Sequence, residues 1–334
     1  MKNTESTILV FKNRALGDAI ISLGAVQYLK KNLPQVNVVY GVPSWVYPLF
    51  QNLNTQADQV IAIDLKKISG WLELYEEVKN LKPSLVLELF QSGRGKKFGN
   101  LSSFFNKQIK YCGNNHHLDD GSFHKSNIQR DLDGIRNHLP ELEVGDFLDF
   151  CPKVELRNPV EKENSIIFGI VATRETKLWP IKNYYELAKL ISIKYPDIRV
   201  KIPVSTNELD QWLKTEFLSF GDSSNVNFIQ TSLEMLPIEI AKAKYYIGND
   251  TGIKHLAIAL GLPSTSFFGP EPPVEWHPYD QSIHPYYFID NLECRTREAH
   301  FCGLAKCDSM ICLNQITAEQ VFSDIESRLA QYFQ

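Results

Sequence analysis

The chain has 334 residues, 43% hydrophobic and 22% charged, with a formal net charge of −4. That length suits two domains of ordinary size, and the slightly acidic balance argues against a nucleic-acid partner. No apolar run approaches the ~20 residues of a membrane-spanning helix, and the opening MKNTESTILVFKNRALG lacks a secretory apolar core, so a cytoplasmic protein is expected, with a loose hold on a membrane surface left open.

Thr7 to Lys12 (TILVFK) reads as a short buried strand, NRALGD as a turn, and Ala19 to Leu33 as a helix with Ile20, Leu23, Val26 and Leu29 on one face. Strands follow at VNVVYGVP and QVIAID, then a helix over Trp71 to Asn80 and a strand at SLVLELF. Residues from about 91 to 150 are less regular, rich in Gly, Asn, Asp and His. A polar stretch with breaker signals at Asn158-Pro159 marks a boundary. The pattern then restarts: strand SIIFGIVA, helix Asn183 to Tyr195, strand IRVKIPV, helix PIEIAKA, strand YYIGN, helix Thr251 to Leu260 with Gly261 as its C-cap, and strand STSFFG. A terminal helix over Ala318 to Tyr332 follows Thr317 as N-cap. Strands alternating with helices imply parallel sheets covered on both faces. The expected division is 1–158, 159–316 and a terminal helical segment, 317–334, returning to the first domain.

Three stretches gather polar groups where strands end, the edge at which open α/β sheets bind ligands. In RALGDAII, Asp18 follows Gly17 at a helix start; it reads either as a first-turn acid favoured by the helix dipole or as a general base. In VATRETKLWP, Thr173, Arg174 and Lys177 lie in one loop, where cations and a hydroxyl could hold a diphosphate, although charged loops are usually just solvated. In YYIGNDTGIKHLAIALG, the free N–H groups at Thr251 and Gly252 suit an anion. Asp250 beside them suits hydroxyls, such as those of a sugar, or simply caps the helix. His255 shares the helix face with Thr251 and reads most simply as a packed histidine, or else as a further contact to the same ligand. Arg94, Lys96 and Lys97 follow the SLVLELF strand and read as an anion-binding patch at the cleft edge or a solvated basic loop.

Other signals carry less. Asp131-Leu132-Asp133 spells D-x-D, but no strand precedes it to fix two carboxylates at an edge, so a solvated face is expected. No Walker loop is present. Of six cysteines, Cys294, Cys302, Cys307 and Cys312 cluster near the end without a C-x-x-C pair, which favours ordinary reduced thiols over a metal site.

Taken in order, ILVFKNRALGDAI, TRETKLWP and GNDTGIKHLAIALGLPSTSFFGP, with the tail CLNQIT, resemble glycosyltransferase family 9, the ADP-heptose:lipopolysaccharide heptosyltransferases. The resemblance implies a GT-B fold: two Rossmann-like α/β domains whose parallel sheets face a central cleft. It implies inverting, metal-independent transfer of a heptose from an ADP-sugar to a lipopolysaccharide-core or related glycan, with no cofactor, on the cytoplasmic face of the inner membrane. By position, Asp18 resembles the catalytic base and Lys177 the residue that neutralises the leaving diphosphate. Asp250 resembles the acid binding the donor sugar, Thr251 and Gly252 the phosphate-binding turn, Thr173 a further phosphate contact, and Glu208 the ribose ligand. The same fold with another nucleotide-sugar donor, or with a protein or capsule acceptor, and a catalytically silent ADP-sugar-binding protein remain alternatives.

Overall fold

Short β-rich runs separated by helices can form a parallel sheet only through crossovers, and this chain does so twice. In the computed structural model, which describes residues 6–105, 107, 109–114, 125–295, 302, 304 and 306–333, the chain divides into two compact units, Met1–Glu155 and Leu156–Gln334.

The first unit runs β1 (Thr7–Phe11), α1 (Leu16–Ile21), α2 (Leu23–Asn32), β2 (Asn37–Pro43), the two-residue β3 (Leu53–Asn54), β4 (Gln59–Ile63), α3 (Ile68–Leu81), β5 (Leu85–Glu88), α4 (Gly93–Phe105), β6 (Lys110–Gly113) and α5 (Asn127–Arg136). Its five-stranded sheet has the order β4-β2-β1-β5-β6, and its strand pairs are parallel. The chain moves outward from β1 on one side and restarts with β5 on the other. The switch point therefore lies between the C-terminal ends of β1 and β5, held in register by Phe11 opposite Glu88.

After the short β7 (Glu155–Leu156), the second unit runs β8 (Ser165–Gly169), α6 (Ile181–Lys194), β9 (Arg199–Val204), α7 (Glu208–Ser219), β10 (Val226–Gln230), α8 (Leu236–Ala241), β11 (Tyr245–Asn249), α9 (Gly252–Ala259), β12 (Ser264–Phe268), α10 (Pro273–Trp276), β13 (Tyr286–Phe288), α11 (Ile311–Asn314) and α12 (Ala318–Tyr332). The sheet order is β10-β9-β8-β11-β12-β13, with a switch point between β8 and β11. The central strands β8, β11 and β12 are buried at every residue, as a sheet covered on both faces requires, whereas edge strand β10 has no buried residue. The terminal helix places Ala318, Val321, Ile325 and Leu329 in this second unit's own core, whereas the sequence led us to expect it on the first domain. Thr317 caps it by accepting the Gln320 N–H at 3.2 Å. Among the described residues no helix is long and apolar enough to cross a membrane.

Several elements differ from the sequence expectation. The first helix is broken at Ser22, whose hydroxyl bonds the side chain of Asp131 and whose backbone (ψ −2°) leaves the helical ladder. The stretch from 91 to 150 is not irregular where it is described: it contains α4, β6 and α5, while residues 106, 108 and 115–124 lie outside the described ones. α7, β10 and β13 were also missed.

The D-x-D run is the largest correction. Asp131 is not on a solvated face; it is 0% exposed and paired with Lys12. Its position explains this. Ile128, Leu132 and Ile135 form the buried stripe of α5, and Asp131 lies three residues after Ile128, on that same stripe. Only Asp133 meets a more open environment, bonded to Lys125 and Gln129.

One glycine pair is set by close approach. The Tyr246 ring lies against Gly169 and Gly248, and a Cβ at Gly169 would come 2.0 Å from the Tyr246 hydroxyl. Gly169→Ala should therefore destabilise the protein by about 1–3 kcal/mol through overpacking. The check is a denaturant titration, with the midpoint lowered and the m-value unchanged; an unaltered midpoint would contradict the close packing.

Candidate functional site

At the second switch point, β11 ends at Asn249 and is followed by Asp250 and Thr251, and β8 leads into the loop carrying Thr173, Arg174 and Lys177. Asn249 ties the two together. Its side chain accepts from the Trp179 N–H at 2.9 Å and the Tyr184 hydroxyl at 3.1 Å, and donates to the Ile170 carbonyl at 2.8 Å. Trp179 is fully buried, stacked on Phe267 at 4.1 Å, with its indole N–H donating to the Ile316 carbonyl. The loop is thus pinned at its far end, and a 3₁₀ turn over Glu175–Lys177 sets the direction of Lys177.

Asp250 is the centre of the resulting cluster. It is 4% exposed and receives Lys254 Nζ at 2.6 Å on one oxygen and Lys177 Nζ at 3.0 Å on the other. Burial alone would raise its pKa, but the charges of Lys177 and Lys254 outweigh that and hold the carboxyl well below its usual range. Lys254 is 0% exposed. It also donates to the Trp276 carbonyl at 2.9 Å and lies over the Phe268 ring. Burial pulls its pKa down to about 8 in spite of Asp250. Arg174 donates to Glu271, which also lies 3.9 Å from Lys177. Three cations and two carboxylates therefore meet at the C-terminal edge of this sheet.

The other donor-side candidates take varied places. Thr251 precedes α9 at its N-cap position, and Gly252 opens the helix. Thr173 is exposed beside Arg174. His255 packs behind the carboxylate, with Nδ1 2.6 Å from the Tyr279 hydroxyl and Nε2 3.8 Å from Asp250. Burial, then the charge of Lys254, keeps it neutral at ordinary pH by holding its pKa well below the usual value. Glu208 is exposed in the first turn of α7, beyond the end of β9, and makes no hydrogen bond or ion pair with the Asp250 cluster.

At the first switch point, Asp18 is buried in the first turn of α1, and Lys12 Nζ lies 3.9 Å from its Oδ1. Arg94, Lys96 and Lys97 stand exposed on the first turns of α4, a helix where the sequence suggested a loop. Ser92 begins that helix, its hydroxyl accepting the Gly95 N–H at 2.9 Å. Gly93 and Gly95 disguised it. Gly95 is required because the buried Glu88 carboxylate lies beneath: a Cβ there would come 2.1 Å from it. Burial raises the Glu88 pKa, against hydrogen bonds from the Tyr111 hydroxyl and Ser92. Arg94 and Lys97 line a cavity of about 720 Å³ with Arg14, Lys66, Asp64 and the half-exposed Trp45; Lys96 does not line it.

Sequence reasoning missed Lys254, Glu271 and Arg14. For Lys254 a signal existed: it follows Asp250 by one helical turn, the spacing of an ion pair. Arg14 stands three residues past the end of β1, its guanidinium 4.1 Å over the Phe90 ring. Among the described residues no three His, Cys, Asp or Glu side chains are placed to hold a metal ion, and all six cysteines are free.

With this geometry in hand, residues 134–301 match glycosyltransferase family 9 (heptosyltransferase). Lipopolysaccharide heptosyltransferase 1 of Campylobacter coli is 23% identical over 305 residues, covering 79% of this chain and 84% of the relative. Among solved structures, the family 9 glycosyl transferase of Veillonella parvula superposes with a TM-score of 0.76 at 18% identity over 99% of both chains. E. coli ADP-heptose lps heptosyltransferase II superposes at 0.70 and 20% identity, over 97% of this chain and 99% of that one. The two doubly wound units are thus folded as in GT-B heptosyltransferases.

The depressed pKa of Asp250 has a stability consequence. A carboxylate whose folded pKa lies below its unfolded value of ~3.9 stabilises above that value and loses its contribution as the pH falls through both. Asp250→Asn should cost about 3–5 kcal/mol at pH 7 by breaking a buried pair. The melting-temperature gap to the parent should hold steady from pH 7 to about pH 4 and narrow only below that, as the pH falls past the unfolded carboxyl pKa; a gap that narrows already between pH 7 and 5, or that does not narrow at all in acid, would contradict an ionised, paired Asp250.

Proposed function

The chain belongs to glycosyltransferase family 9 (heptosyltransferase) and is a glycosyltransferase, and on that premise we propose that it transfers a heptose from ADP-heptose to an anionic sugar of a lipopolysaccharide core. The reaction is a single metal-independent displacement that inverts the anomeric centre. The observation that carries this reading is the Lys177–Asp250–Lys254 cluster at the second switch point, which pairs a cation for phosphate with a carboxylate for hydroxyls.

In the free protein Lys177 rests on Asp250 and near Glu271. A diphosphate offers it a stronger partner. Lys177 then neutralises the charge that develops on the leaving ADP, joined by Arg174, Thr173, Thr251 and the free N–H groups of Gly252 and the first turn of α9. Asp250 keeps Lys254 and stays ionised, so the oxygen that Lys177 leaves accepts hydrogen bonds from the heptose hydroxyls. His255 steadies the carboxylate from behind. Glu208, beyond the end of β9, takes the ribose hydroxyls. Without a metal, these cations and amides carry the electrostatic work.

The first unit supplies the acceptor side. Asp18 takes the proton of the acceptor hydroxyl as general base, and that hydroxyl oxygen, attacking opposite the leaving ADP, bonds to the anomeric carbon as the bond to ADP breaks and so inverts it. Arg94 and Lys97, with Arg14 and Lys66 around the same cavity, and Lys96 on its approach, hold an acidic sugar such as Kdo. The lipid on that acceptor places the enzyme at the cytoplasmic face of the inner membrane.

Two measurements test the assignment. Asp18→Asn should lower kcat by about 10²–10⁴-fold with ADP affinity unchanged; a full-rate variant would remove Asp18 as base. Charge reversal at Arg94 and Lys97 should raise the acceptor KM roughly tenfold or more, as loss of charged hydrogen bonds implies, and leave the donor KM alone. An unchanged acceptor KM would reject the acceptor site.

A further inference from the structure

The D-x-D run that the sequence put on the surface supplies half of a buried charge group around Asp18. Lys12, the residue after β1, has 1% of its surface exposed, and Asp131 has none. Lys12 Nζ donates to both oxygens of Asp131, at 3.1 and 3.2 Å. The Ser22 hydroxyl adds a third bond to Asp131, at 2.7 Å. Asp18 Oδ1 stands 3.9 Å from the same Nζ, inside the range of strong attraction but beyond a hydrogen bond. That oxygen has no hydrogen-bond partner among the described residues, and Oδ2 accepts one long bond, from the Ala15 N–H at 3.4 Å.

One cation thus serves two carboxylates unequally. If Lys12 were bonded to Asp18 directly, the carboxylate would be stabilised in its charged form and would make a poor base. If Lys12 were absent, the two buried carboxylates would lose the cation between them. The observed arrangement avoids both. We propose that Lys12 and Asp131 are positioning residues for Asp18: Asp131, fixed by Ser22, holds the lysine back, so that the cation stays beside Asp18 without capturing it and leaves Oδ1 open to an acceptor hydroxyl. This rests on the reading of Asp18 as the general base.

Among the described residues, Tyr40 and the first-turn amides of α1 also bear on Asp18. Tyr40, from β2, donates to the Ala19 carbonyl at 2.6 Å, and its pKa is raised well above the usual value by burial, then by Asp131 and Asp18, so it stays neutral. The first-turn amides of α1 favour the ionised form but are present in every variant.

The test compares Asp131→Asn, the volume-conserving double variant Lys12→Met/Asp131→Asn, and Asp18→Asn. ADP-heptose and a Kdo-bearing lipid core serve as substrates, and the pH dependence of kcat/KM is read. A base works when deprotonated, so activity falls on the acid side as Asp18 takes a proton. In the double variant the cation is gone; the acid limb should move up by about one pH unit. In Asp131→Asn the freed lysine closes onto Asp18; the plateau should fall about three- to tenfold, following the weaker base, and the acid limb should not rise. ¹³C NMR of Asp-labelled protein, with the Asp18 carboxyl assigned through Asp18→Asn, should show the same upward move in the double variant and none in Asp131→Asn, without turnover. This reading survives if Asp131→Asn is too unstable to assay, because the double variant removes both charges together. An acid limb and an Asp18 resonance unmoved in the double variant would overturn the inference while leaving the base in place. Full activity in Asp18→Asn would overturn both.

Discussion

An ionised carboxylate cannot sit 4% exposed at the end of a strand without a cation, and Asp250 has two. Much of the second unit follows from keeping that arrangement. Lys254 reaches Asp250 because α9 starts immediately after it, and one helical turn brings the side chain back to the acid. Lys177 reaches it because the loop after β8 is tied to Asn249 at one end and anchored in the core by Trp179 at the other. The two lysines differ in a way that suits binding. Lys254 is fully enclosed and committed to the carboxylate and the Trp276 carbonyl, whereas Lys177 is 16% exposed and shared between Asp250 and Glu271. A second anion can recruit the exposed lysine at no cost in unpaired buried charge, because the enclosed one remains.

The first unit meets the same constraint with the opposite proportions. There one buried lysine, Lys12, lies among two carboxylates, and the nearer pairing goes to Asp131 rather than Asp18. On the roles proposed for them, a carboxylate that binds hydroxyls and one that removes a proton need different surroundings, and each of the two lies at the β-strand edge where its unit's sheet order reverses. Glu88 shows a third solution: fully buried, bonded by neutral donors from Tyr111 and Ser92, with its pKa raised.

The strand–helix alternation, both sheets and the polar groups at their edges were legible in the sequence, because parallel strands covered on both faces read as continuous apolar runs and the site motifs follow those strands directly. Ala318 to Tyr332 was readable to the residue, with its apolar spacing and its Thr317 cap intact. What escaped was of two kinds. α4 opens with Gly93 and Gly95, residues of poor helix propensity that are there for Glu88 beneath, so a tertiary constraint overrode the local signal. Asp131 and Lys254 are charged residues at core-facing helix positions, and a charge in a polar-looking segment reads as solvated unless its buried partner is known. In the first case that partner, Lys12, is 119 positions away. Pairing across such a distance is set by topology, which no local pattern encodes.

The measurement that bears most directly on the second site is a calorimetric titration of the purified chain with ADP, UDP, GDP and an ADP-heptose analogue, each with and without EDTA. Adenine ligands are expected to bind selectively, unaffected by EDTA, with affinity lost when Lys177 is replaced by methionine. Binding of none of the four, or binding that persists undiminished without the Lys177 charge, would contradict a diphosphate site at the Asp250 cluster.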